Sequence, residues 1–102
     1  MKDFDPLDHE QQEADSVAGA KKQALATLQI EADFKWLMDD PRGRRQVWRW
    51  LSEAGVFQQS FNPDAMTMAF KEGRRAAGLQ LLGQIHAICP DRYTTMMKEQ
   101  QP

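Results

Sequence analysis

Three prolines, Pro41, Pro63 and Pro90, cut the chain into segments that each carry apolar residues three to four apart. Proline lacks a backbone N–H and clashes with the carbonyl four residues before it, so it opens a helix readily and interrupts one from within. Its neighbours here reinforce that punctuation. Pro41 disfavours the α conformation at Asp40, which sets a helix boundary at 39–41 and leaves Asp40 to cap a second helix running to about Ala54. Gly55 supplies the stop. Asn62-Pro63 repeats the start signal, an Asx cap followed by proline, with Asp64 at the positive end of the helix dipole. The longest helix follows, to Ile88 or Cys89, and Pro90-Asp91 opens a last short one from Arg92 to about Lys98.

The spacing also assigns faces. In the second helix Val47, Trp48 and Leu51 share one side and Arg42, Arg45 and Arg49 another. The longest helix carries a stripe from Met66 through Phe70, Leu81, Leu82 and Ile85 to Ile88, interrupted by Gly73, Gly78 and Gly83. A glycine costs about 1 kcal/mol relative to alanine inside a helix, so a close approach of another backbone is expected at all three. Tyr93, Met96 and Met97 form the face of the last helix. The linker Val56–Phe61 is too apolar for a solvated loop, and its Val56, Phe57 and Phe61 are expected to fold back over the helices. No stretch alternates as a strand would. The fold class predicted is all-α, a small helical bundle of three to five helices with an N-terminal extension.

The extension reads differently. Residues 1–20 hold six acids against the single Lys2, whereas the twelve Lys and Arg of 21–102 outnumber their nine acids. Residues 1–15 show no clear period and read as a tail, disordered when free. From Ser16 an alanine-rich helix with a thin apolar stripe runs towards Phe34, and such a helix survives by docking on something larger. The expected organisation is an acidic tail and extension helix over 1–32, a helical domain over 33–98, and a C-terminal tail over 99–102.

Several function classes fall away. The apolar runs are far shorter than the roughly 20 residues of a membrane span, and the N-terminus has no signal pattern. Cys89 is the one cysteine, so no intramolecular disulfide or CxxC pair exists. His86 and Cys89 are spaced to share a helix face, but two further metal ligands, or the orienting group of a nucleophile, are not spaced to join them. The glycines do not form a phosphate-cradling loop. Adjacent Asp39 and Asp40 point in different directions, and Asp40 already has a cap to make. No catalysis, cofactor or metal is expected.

Charge and aromatics suggest partners instead. Arg42, Arg44, Arg45 and Arg49 form one cluster, interleaved with Trp48 and Trp50; Lys71, Arg74 and Arg75, beside Phe70, form a second. Solvated faces answering Asp39, Asp40, Glu53 and Glu72 are the first reading of both, contact with a protein partner the second, and phosphate contact with nucleic acid the third. Trp48 and Trp50 cannot face one core from one helix. Trp48 is assigned to the core, and Trp50 joins the seven cations as a candidate partner-binding residue.

The run Asp33-Phe-Lys-Trp-Leu-Met-Asp-Asp-Pro-Arg-Gly-Arg-Arg45 is distinctive, followed by Trp48, Glu53-Ala-Gly-Val-Phe57, Ser60-Phe-Asn-Pro63 and Phe70-Lys-Glu-Gly-Arg-Arg75. Over about residues 33–98 the chain resembles the small tailed-phage family named after a Bordetella podophage gene, the Bbp-nineteen-like domain. The resemblance implies a phage protein encoded among virion morphogenesis genes, and carries no assigned activity. Beside the residues, it leads to the expectation of a minor virion component, held inside the particle or at the portal and tail and linked to genome ejection. Its partners would be other phage structural proteins in an oligomeric assembly, present in the virion and, during assembly, in the infected cytoplasm. A DNA-binding phage protein using both arginine clusters, and a host-directed effector, are the alternatives.

Overall fold

In the computed structural model, which describes residues 6–101, four helices follow one another: α1 (Pro6–Asp39), α2 (Pro41–Glu53), α3 (Ala65–Ile88) and α4 (Pro90–Gln100). No strand occurs among the described residues, so the fold is of the expected all-α class. The chain divides into two units, Met1–Asp33 and Phe34–Pro102.

In the first unit, α1 begins at Pro6 rather than near Ser16. The part of the expected tail from Pro6 to Asp15 is therefore helical, and the rest lies outside the described residues. Local chemistry explains the early start. Asp8 sits in the first turn, His9 pairs with Glu13 at 3.0 Å, and Gln11 donates to Asp15 at 3.0 Å, all favourable on a helix surface. From Leu7 to Ile30 every side chain of this helix is exposed.

The second unit holds the core: Phe34 and Met38 at the end of α1, Val47 and Leu51 of α2, Val56 of the loop, Ile85 of α3 and Met96 of α4. Trp48, Leu81, Leu82, Ile88 and Tyr93 pack around it half-buried. Asp40 caps α2 as expected, its carboxylate accepting from the Arg42 N–H at 2.7 Å with Pro41 in the first turn. Gly55, at φ +77°, ends the helix: its N–H donates to the Ser52 carbonyl at 3.1 Å and the Val56 N–H to that of Leu51 at 3.2 Å. That paired closure carries Val56 onto Leu51 in the core, the apolar contact that accompanies such stops.

Five expectations are corrected. The cap of α3 is Asp64, accepting from the Thr67 N–H at 3.2 Å, while Asn62 accepts from the Asp64 N–H at 2.9 Å in an Asx turn that leads into the helix. Phe61 does not fold back and is 78% exposed. The stripe of α3 buries only in its second half, since Met66 and Phe70 lie in solvent. Of its glycines only Gly78 is crowded, where a Cβ would come within 2.5 Å of Val56; Gly73 and Gly83 face open space. The close approach that sequence overlooked is Gly43, where a Cβ would stand 1.9 Å from the Leu37 carbonyl oxygen as α2 starts against the last turn of α1. At the other end α4 continues to Gln100, so Glu99 and Gln100, expected in a tail, are helical.

Candidate functional site

The cations of α2 separate by direction. Arg44 turns inward and is buried: its Nε and Nη2 donate to the two Glu99 oxygens at 2.5 and 3.1 Å, and Nη1 to the Met38 carbonyl at 2.8 Å. With its guanidinium engaged on α4 and on the end of α1, it has no face left for a partner, which corrects its place among the binding residues. The hydrogen bond to Arg44 holds Glu99 below the usual carboxylate range, and the same bond raises Arg44 further.

Arg42, Arg45 and Arg49 point the other way. With Gly43, Gln46, Trp48, Ser52 and Gln100 they line a broad groove of about 1040 Å³, and no carboxylate lies on its wall. Their i, i+3, i+7 spacing sets three guanidinium groups along about 10 Å of helix. Arg49 is steadied by Gln46, and Trp48 stacks on Phe57 with ring centroids 4.9 Å apart. Trp48 is thus half-buried rather than a full core residue. Trp50 is 46% exposed and stands outside this groove.

Trp36 is 76% exposed on the last turns of α1, where it borders a smaller hollow with Leu37, Asp40, Arg42 and Gly43. It was not chosen from sequence. The signal was present, since Phe34 and Met38, four apart, define the buried face and place Trp36 off it.

Lys71, Arg74 and Arg75 sit on α3 and line a different cavity, with residues 53–55 and 58–60. Arg74 donates from Nη2 to the Glu53 carbonyl at 2.7 Å, closing the C-terminal end of α2, and its guanidinium lies 5.8 Å from the Phe70 ring centroid. The structure therefore does not unite the two cation clusters in one site.

The other titratable groups singled out from sequence, Asp39, Asp40, His86 and Cys89, have structural surroundings of their own. Asp39 pairs with Arg92 at 2.9 Å while Asp40 caps α2, so these carboxylates diverge. His86 lies against Tyr93, centroids 4.7 Å apart. Burial pushes the Cys89 thiol up, opposite to the shift that activates a nucleophile. Among the described residues no three metal-ligating side chains gather, and no helix is long and apolar enough to cross a membrane.

These features define a small all-α domain that keeps Arg44 for its own core and turns Arg42, Arg45, Arg49, Lys71 and Arg74, with two indoles, towards solvent. The chain belongs to the family of Bbp19-like phage proteins, whose model matches residues 34–98, and it is accordingly a bacteriophage protein. The matched span falls within the second structural unit. No curated protein and no solved structure matches the chain.

Proposed function

We propose that this protein is a non-catalytic assembly component of the phage particle, a minor virion protein held inside the particle or at the portal and tail and linked to genome ejection. The observation that carries the reading is the first unit, which exposes Val17, Leu25, Leu28 and Ile30 on its helix and has no buried residue among those described. Isolated helices are marginal in water, and exposed apolar side chains such as Val17, Leu25 and Leu28, which lie on one side of the helix, gain stability when a neighbour covers them. Other virion proteins would provide that cover during assembly, with Trp36 and Trp50 as further anchors.

Quantitative mass spectrometry of purified virions tests this. The chain should be present in a fixed ratio to the portal protein, and a phage expressing a chain without residues 1–30 should lose it from particles. Abundance in the infected lysate with absence from virions would favour the host-directed effector instead.

The carboxylate-free groove of Arg42, Arg45 and Arg49 supports a second reading, contact with DNA. Binding should then weaken steeply with salt and fail in R45E/R49E. Arg44 is unsuitable for that test because its loss strikes the fold.

A further inference from the structure

We propose that the cavity between α3 and the loop after α2 is a phosphate-binding site, separate from the arginine groove and independent of whether the chain enters virions. The cavity is about 160 Å³, several times a water's share of about 30 Å³, and suits one tetrahedral oxyanion. Lys71, Arg74 and Arg75 reach it from one face of α3, their i, i+3, i+4 spacing bringing three positive charges to one wall. Glu53 is the one carboxylate on the lining, so cations outnumber anions three to one. Gln58, Gln59 and Ser60 add amide and hydroxyl donors on the opposite side.

Two details make this more than a solvated charged face. The Nε of Arg75 is buried and has no hydrogen-bond partner, although a buried charged donor without an acceptor is costly. No carboxylate stands within ion-pairing distance of Lys71 or Arg75 among the described residues, in contrast to Arg44 and Arg92. Arg74 is pre-set by its bond to the Glu53 carbonyl and its contact with Phe70. An anion with several acceptor oxygens would compensate the positive charge gathered on this wall, and planar guanidinium groups match phosphate geometry.

The phosphate is either a free ion or a backbone phosphodiester of nucleic acid, and one experiment separates them. The full-length chain, labelled with ¹⁵N, is titrated at constant ionic strength with inorganic phosphate, with a short single-stranded DNA, and with acetate. Phosphate is expected to give saturable amide shifts at Gly55, Gln58, Gln59, Ser60 and around Arg75, weakened about tenfold or more in R75Q and in K71Q. Lys71 is exposed, so K71Q keeps the test valid should R75Q fail to fold. Shifts with DNA alone assign the site to a nucleic-acid backbone, and shifts with both show that a single phosphate suffices; either supports the site. No saturable shift with either probe, undiminished binding in the variants, or acetate acting as well as phosphate would overturn it.

Discussion

Arg44 and Glu99 are 55 residues apart in sequence and meet through two parallel hydrogen bonds, Nε to Oε1 at 2.5 Å and Nη2 to Oε2 at 3.1 Å. With Nη1 on the Met38 carbonyl, one guanidinium ties α2 to α4 and to the end of α1. The same cluster that looks from sequence like a uniform basic patch thus contains one residue that holds three helices together.

Removing either partner leaves the other without compensation. The Arg44 side chain is 7% exposed and that of Glu99 32%, so water relieves the glutamate more than the arginine. R44M and E99Q should each cost about 2–3 kcal/mol in urea unfolding, somewhat below the range for fully buried pairs. R44K should fail to restore wild-type stability, because an ammonium cannot make the paired fork. A double variant as unstable as the two single losses summed would refute the coupling.

The pair also sets a pH response. Glu99 titrates below the ordinary value near 4.5 because Arg44 stabilises its ionised form, so the unfolded chain binds its proton first as pH falls. The associated stability is complete above pH 4.5 and is lost as pH drops through the depressed folded value. Asp64 is lowered too, chiefly by the Thr67 hydroxyl, and acts in the same direction. Unfolding midpoints measured from pH 6 downward should therefore fall less steeply in E99Q than in wild type, with a residual slope that D64N reduces.

Helix punctuation was legible in sequence because it is local: Asp40-Pro41, Gly55 and Pro90 act on their immediate backbone, and α2 starts and stops where they indicate. The core positions of α2 followed from periodicity for the same reason. Three things did not follow. The direction of Arg44 depends on a carboxylate two helices later, the crowding at Gly43 on how α2 meets Leu37, and the openness of Gly73 on where the bundle ends. The orphan Nε of Arg75 is likewise a product of tertiary packing, although the charge cluster around it was visible.

The glycines give a sharp contrast. G43A should cost about 3 kcal/mol, the upper end of overpacking, because the added carbon meets a backbone carbonyl that cannot turn aside. G78A should also destabilise, by about 1–2 kcal/mol, since Val56 and Ala54 must yield. G73A and G83A should instead stabilise by about 0.5–1 kcal/mol each, gaining helix propensity in open space. Thermal denaturation of the four variants checks the order, and a destabilised G73A would refute it.

Among the described residues every buried core side chain lies between Phe34 and Met96. A chain lacking residues 1–30 should therefore fold with a urea midpoint close to that of the full-length protein, losing helical circular dichroism in proportion to the residues removed. A large fall in the midpoint would show that the first unit contributes to the core's stability.

The three tryptophans should separate folding from association. Trp48 stacks on Phe57 and packs against the core while staying half-buried, so W48A should cost about 2–3 kcal/mol, less than for a wholly buried indole. Trp36 and Trp50 are exposed, and truncating them removes little buried area in the isolated chain. W36A and W50A should leave the unfolding midpoint within about 0.5 kcal/mol of wild type. If they anchor a neighbour, the same variants should lower incorporation into particles, because an indole covered at an interface contributes far more than one left in water. Normal incorporation of a W36A/W50A double variant would remove both indoles from the assembly surface and leave Val17, Leu25, Leu28 and Ile30 as its remaining candidates.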